Sequence, residues 1–63
     1  IDVEFIRGTV YNPEKRLARY LGREIAQASL DDEHLLRVVY EDQEDEIVII
    51  TAYPARRERY EKN

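Results

Sequence analysis

Two short apolar runs in the second half of the chain predict a pair of neighbouring β-strands. Residues 35–40 and 47–53 are both rich in β-branched and aromatic residues, and an acidic link, residues 41–46, joins them. Short runs of this composition on either side of a turn are typical of an antiparallel hairpin. The first run is apolar on both of its alternating sides, which predicts a central strand. The second run could be central or lie against a partner.

The opening stretch fits two patterns. Apolar and polar residues alternate over residues 1–5 as in a strand, while Val3, Ile6 and Val10 share one face of a helix that Asp2 could cap. Pro13 disfavours helical geometry at the residue before it and supplies a stop. The pattern predicts a helix within residues 2–12.

Residues 13–30 also allow two interpretations. Pro13 at the first helical position and Leu17, Leu21 and Ile25 on one face favour an amphipathic helix through residue 28, with Gly22 as its weakness. The alternative is a strand over residues 23–30, although its alternation is not clean. Taken alone, the local pattern favours the helix. Residues 31–33 are polar and fit a turn before the next strand.

Length and composition limit the class of protein. A chain of 63 residues allows one domain, which buries a smaller share of its surface than a larger domain does. With no cysteine and one histidine, neither a disulfide nor a metal or cofactor site is expected. Neither a signal peptide nor an apolar stretch of roughly 18 residues is present, so we expect a cytoplasmic protein that does not enter a membrane. The start at Ile1 rather than Met suggests processing or a missing upstream element.

Charge is unevenly distributed along the chain. The formal net charge of -4 argues against a protein that coats nucleic acid by bulk positive charge. Eight of the fourteen acids fall between positions 31 and 46, which predicts one acidic edge. Eight of the ten basic residues form two groups: Lys15, Arg16, Arg19 and Arg23, then Arg56, Arg57, Arg59 and Lys62. The two groups would form a basic face if folding brings them together, and ordinary solvated surface is the alternative.

Arginine and tyrosine supply the candidate chemistry. His34 has no cysteine or second histidine to form a catalytic dyad with, and the crowded carboxylates are typical of a solvated turn. A basic tail, residues 53–60, follows the last strand. Arginine can grip phosphate while tyrosine stacks or carries a proton, which would hold and cut RNA without a metal ion. The alternative is an exposed tail whose Tyr53 and Tyr60 pack against the sheet edge.

Three segments carry a resemblance to a known family. They read LLRVVYE at 35–41, IVIITAYP at 47–54 and RRERY at 56–60. Together they resemble a family of small bacterial and archaeal proteins grouped with the RelE, ParE and BrnT toxins. Residues 10–13 are similar to the end of that family's second helix, and residues 23–27 to its first long strand.

The resemblance implies an α+β fold, with an N-terminal helix followed by a curled antiparallel β-sheet of three to four strands. The strands are expected near 23–30, 34–41 and 46–53, so the strand interpretation replaces the helix over residues 13–28. Residues 1–63 are expected to form one small domain. It would lack a helix, bearing a histidine and an arginine, that precedes this region in the family.

The implied function is that of a RelE/BrnT toxin-like protein that binds or cuts RNA without metal. Arg37 and Arg56 would contact phosphate, and Tyr60 would stack or act as general acid. Further RNA-binding candidates are Arg23, His34, Arg57 and Arg59. We expect a homodimer or an antitoxin-like protein partner, since strands apolar on both sides leave surface for a second chain. The alternative is a non-catalytic oligomerisation or protein-interaction module.

Overall fold

The computed structural model describes residues 2–18 and 21–60, which form two helices and one sheet. The elements are α1 (Val3–Tyr11), β1 (Lys15–Ala18), β2 (Arg23–Ser29), β3 (His34–Gln43), β4 (Glu46–Arg56) and the short α2 (Arg57–Tyr60). The strands form one antiparallel sheet in the order β1-β2-β3-β4. The predicted α+β class, with an N-terminal helix and a sheet of three to four strands, is confirmed as a helix followed by an open four-stranded sheet.

Helix α1 begins and ends where the sequence predicts. The Asp2 carboxylate accepts a hydrogen bond from the backbone N–H of Glu4 at 2.8 Å, which satisfies one of the free donors of the first turn. Asn12 ends the helix with its backbone N–H on the Gly8 carbonyl, and Pro13 follows. The face that carries Ile6 and Val10 packs onto the sheet.

Residues 13–28 do not form a helix, so the local pattern gave the wrong answer. Leu17 lies in β1 and Ile25 in β2, and the chain reverses between them through Leu21 and Gly22. Both turn residues have positive φ, 64° and 75°, and the Leu21 side chain is 81% exposed. A left-handed pair of this kind reverses the chain and cannot continue a right-handed helix. The strand interpretation is confirmed, and β1 is an additional strand that the pattern did not indicate.

The core lies between α1 and the central strands. Its buried members are Val10, Ala26, Leu36, Val38 and Tyr40. The Tyr40 hydroxyl accepts a hydrogen bond from Arg16 Nη1 at 2.5 Å and donates one to Glu24 at 3.3 Å. Burial raises the pKa of Tyr40, so the neutral phenol is the form in which it bridges these two charges. The prediction that β3 is a central, covered strand is confirmed.

Strand β4 is an edge strand of the described sheet, so of the two positions that the sequence left open the central one is wrong. It pairs with β3 from Gln43↔Glu46 to His34↔Arg56. A register shift at Val39/Tyr40 leaves Ile50 without an opposite residue, which is the mark of a β-bulge.

Candidate functional site

A polar row crosses the sheet on the face opposite α1. Gln27, Arg37 and Tyr53 are register partners on β2, β3 and β4, and side chains in register share one face of a sheet. Arg37 donates from Nη1 to Gln27 Oε1 at 2.6 Å and from Nε to the Tyr53 hydroxyl at 3.2 Å. Gln27 and Arg37 are only 2% and 6% exposed. Arg37 is therefore a buried residue with fixed partners.

Tyr60 stacks on the guanidinium of Arg37. The Arg37 Cζ atom lies 3.8 Å from the centroid of the Tyr60 ring, which is well within the range of a cation–π contact. The contact fixes α2 over the polar row and leaves Tyr60 38% exposed. The hydrogen bonds of Arg37 within residues 2–18 and 21–60 come from Nε and Nη1. Two of the three residues predicted as catalytic are thus in direct contact.

Arg56 and Tyr60 line one shallow groove at the end of β4. The groove has a volume of about 300 Å³ and is lined by Tyr53, Pro54, Ala55, Arg56, Arg59 and Tyr60. Within the described parts of the chain, Arg56 and Arg59 make no hydrogen bond and no ion pair. Arg56 is the register partner of His34, so strand alternation puts its side chain on the face opposite Arg37. The groove therefore wraps the edge of β4 instead of lying on one face.

A second hollow beside Arg56 suits an anion less well. It has a volume of about 240 Å³ and is lined by Asp32, Glu33, Arg56, Arg57 and Glu58. Three carboxylates repel phosphate, whereas the lining of the first groove contains two arginines and no acid. A bound phosphate is favoured in the first groove.

Arg57 ties the turn between β2 and β3 to the start of α2. Its Nη2 donates to Ser29 Oγ at 2.7 Å and to the Asp31 carbonyl at 3.0 Å, and its Nε donates to the Asp32 carbonyl at 3.1 Å. Ser29 in turn donates its backbone N–H and its hydroxyl to the Glu14 carboxylate, both at 2.9 Å. These two bonds, backbone first, and the nearby positive charge of Arg57 lower the pKa of Glu14. The contacts of Arg57 are structural.

His34 and Arg23 also have partners away from the groove. His34 Nδ1 lies 3.0 Å from Asp31 Oδ1, which also accepts the backbone N–H groups of Glu33 and His34. The bond from Glu33, and then that from the His34 ring, lower the pKa of Asp31. Arg23 forms an ion pair with Glu41 at 3.1 Å, near the β3–β4 turn. Of the seven predicted site residues, Arg56, Arg59 and Tyr60 line the groove, and Arg37 contacts Tyr60. His34 lies opposite Arg56 in register but is bonded to Asp31, and Arg23 and Arg57 are held by other partners.

The predicted charge surfaces also differ from the structure. Lys15 and Arg16 lie on β1 and Arg56 ends β4, so the basic groups occupy opposite edges of the sheet and form no common face in the described residues. Arg19 and Lys62 lie outside those residues. The acids at 31–33 and at 41–46 flank opposite ends of β3, so they form two acidic turns and not one acidic edge.

Gln27 and Tyr53 were missed as members of the site. The sequence contains a signal for Gln27, since it is a lone amide between two alanines on a covered strand and must find a partner. Tyr53 gives no comparable signal, because a tyrosine at the end of an apolar strand is equally typical of packing.

In residues 2–18 and 21–60, no three His, Cys, Asp or Glu side chains are grouped so that they could hold a metal ion. The helices of this part of the chain are too short and too polar for any of them to cross a membrane. No protein-family model, curated protein or solved structure matches the chain.

Proposed function

We propose that this protein is a RelE/BrnT toxin-like protein that binds RNA in the groove at the end of β4 and cuts it without a metal ion. One observation carries the proposal. The stacked pair of Arg37 and Tyr60 adjoins two exposed arginines, Arg56 and Arg59, whose guanidinium groups have no partner in the described residues. An exposed aromatic ring beside such arginines suits a base and its phosphate.

The two exposed arginines and the tyrosine have different tasks. Arg56 and Arg59 donate paired hydrogen bonds to phosphate oxygens, since a guanidinium matches that geometry. Tyr60 stacks on an unpaired base. Arg37 holds the Tyr60 ring in place from below.

The proposed cleavage uses the same groups. The 2′-hydroxyl of RNA attacks the adjacent phosphorus, its proton passes to water, and the bond to the 5′-oxygen breaks. The Tyr60 hydroxyl protonates the departing oxygen, and the arginines stabilise the charge that develops on the phosphate. The products are a 2′,3′-cyclic phosphate and a free 5′-hydroxyl.

A binding experiment with matched variants tests the groove. A labelled single-stranded RNA is titrated with protein in EDTA at several salt concentrations. For R56A/R59A we expect affinity to fall at least about tenfold, and the slope of log K against log salt to become shallower by about 1.4, or about 0.7 per lost phosphate contact. R7A/K15A changes the net charge equally at exposed sites away from the groove. Equal losses in both double variants would contradict the proposal.

A second experiment separates binding from cleavage. Y60F keeps the stacking ring and loses the hydroxyl, so we expect it to bind RNA like the wild type and not to cut it. Y60A should lose both properties. We also expect wild-type protein to slow growth on expression, Y60F to be harmless, and an antitoxin-like partner to relieve the effect. Wild-type protein that neither binds nor cuts RNA, and does not slow growth, would refute the function.

A further inference from the structure

Helix α1 covers only part of its face of the sheet. It packs on β2 and β3. A helix is about 10 Å wide and neighbouring strands are about 4.8 Å apart, so one helix covers about two strands. Ile49 of β4 is the register partner of the core residue Tyr40, which places it on the same face as α1. Its side chain is 44% exposed, so the first half of β4 has an apolar surface beside α1 that no described helix covers.

A groove lies between α1 and this part of β4. Its volume is about 370 Å³. Its lining includes Val10 and Ile47, which belong to the apolar core or pack against it. Arg7 and Tyr11 line the side of α1, four residues apart on one flank of the helix. Tyr11 is 68% exposed. An exposed tyrosine facing an exposed isoleucine across a groove is typical of a surface that binds a partner.

The end of the groove at the β3–β4 turn is acidic. Asp45 and Glu46 line it and Glu44 precedes them, and all three are exposed. None of the three forms an ion pair with a residue in 2–18 or 21–60. Arg7 is the basic residue of the lining, and it lies 3.9 Å from Glu4 of the same helix, which balances its charge. The groove therefore favours a positively charged occupant.

We propose that this groove binds a basic amphipathic helix of a partner protein. The helix lies beside α1, with its apolar face on Tyr11 and Ile49 and with lysine or arginine side chains at the acidic turn. Packed helices lie about 8 to 10 Å apart, so a helix next to α1 lies over β4. Residues 7–11 and 45–49 line this groove, whereas residues 53–60 line the groove proposed for RNA. The inference is therefore independent of RNA binding.

The described helices of a second copy suit this groove less well. The segment 2–11 that contains α1 carries two acids, Asp2 and Glu4, and one base, Arg7, so its net charge is -1 and the acidic turn repels it. Helix α2 has only four residues, which is too short to present an apolar stripe. A basic helix with a continuous apolar face must then come from another protein.

A synthetic peptide serves as the probe. It is about 15 residues long and consists of leucine, alanine and lysine, with the leucines at helical spacing and the lysines on the other face. Fluorescence anisotropy of the labelled peptide is measured as the full chain is added up to about 1 mM at low salt. We expect a dissociation constant on the order of 100 µM or tighter. A peptide of the same composition in scrambled order, and one with glutamate in place of lysine, should each bind at least tenfold more weakly.

Matched variants separate the groove from overall charge. D45N/E46Q should weaken peptide binding at least about threefold, because two exposed ion pairs are lost. D32N/E33Q removes the same charge at the β2–β3 turn and should bind like the wild type. I49K should weaken binding at least about tenfold, since it places a charge in the apolar contact. L21K makes the same change at an exposed leucine in the β1–β2 turn and should have no effect. Circular dichroism checks that each variant is folded.

Nuclear magnetic resonance locates the peptide on the protein. The amide signals of residues 7–11 and 45–49 should shift on addition of the peptide, and those of residues 53–60 should stay in place. No binding up to about 1 mM, equal losses in the matched variants, or shifts confined to residues 53–60 would each overturn the proposal. A dimer of the protein alone that I49K abolishes in sedimentation would also overturn it, because a second copy would then cover the groove.

Discussion

Replacing Arg37 by methionine removes the charge at the centre of the polar row and keeps an unbranched side chain. The variant loses two hydrogen bonds and the contact with the Tyr60 ring. Most of the lost stability comes from Gln27, because its buried amide oxygen then has no hydrogen-bond donor. A hydrogen bond to a charged group contributes about 1.5 to 3 kcal/mol, and a cation–π contact about 0.5 to 2 kcal/mol.

Relief of the desolvation cost of a buried guanidinium offsets part of this loss. We therefore expect R37M to lower the free energy of unfolding by about 3 kcal/mol. The total free energy of unfolding of a 63-residue domain is only about 3 to 9 kcal/mol. R37M should accordingly be partly unfolded, and a loss of activity in any Arg37 variant is informative only after its fold has been checked.

Urea titration followed by circular dichroism measures the effect, with Q27L and R37M/Q27L as companions. The double variant places two apolar side chains together and leaves no buried amide without a partner. It should therefore be at least about 1 kcal/mol more stable than the sum of the single losses predicts. A cost of less than about 1 kcal/mol for R37M, or strict additivity in the double variant, would refute the reasoning.

Further outcomes test other contacts. Y40F removes the hydroxyl that bridges Arg16 and a carboxylate, so urea titration should show a loss of about 1 to 2 kcal/mol, and an unchanged midpoint would contradict this. The lowered pKa of Glu14 means that its carboxylate stabilises the fold above its ordinary value of 4.5, and that this contribution is lost as pH falls through the folded pKa. The melting temperature of E14Q should then depend less on pH below about pH 4.5 than that of the wild type. Parallel curves of melting temperature against pH would argue against this role of Glu14. The Arg57 side chain holds the carbonyls of Asp31 and Asp32, so R57A should loosen the β2–β3 turn and speed amide hydrogen exchange in residues 31–33. Unchanged protection there would exclude the structural role.

The elements that could be predicted are those in which local signals left one structure favoured. The hairpin of β3 and β4 follows from two β-rich runs on either side of a polar turn, and α1 from its cap and stop. Leu17, Leu21 and Ile25 were ambiguous, because their spacing fits one face of a helix as well as two strands and a turn. The deciding feature is the positive φ of Leu21, which L-residues with large side chains rarely adopt. No local pattern indicates it.

The site was predictable by residue type and only in part by position. Arg37 and Tyr60 were expected to act together, and they are in contact. Arg56 and Arg57 are neighbours of identical chemistry in the sequence, yet one lines the groove and the other holds a turn. That difference depends on where β4 ends and on how the β2–β3 turn presents its carbonyls, and both arise from tertiary structure.

The length of β4 also determines which of the protein's charges act on a ligand bound at one end of the strand. The ten steps of about 3.3 Å from Glu46 to Arg56 separate the carboxylates at its start from the arginines at its end by about 33 Å. The Debye length at physiological ionic strength is about 8 Å, so a polyanion at the basic end senses only the charges around it. The formal net charge of -4 is then compatible with RNA binding at the basic end of β4. At about 0.01 M salt the Debye length grows to about 30 Å, the acids at the far end become perceptible, and RNA affinity should stop rising as salt is lowered further.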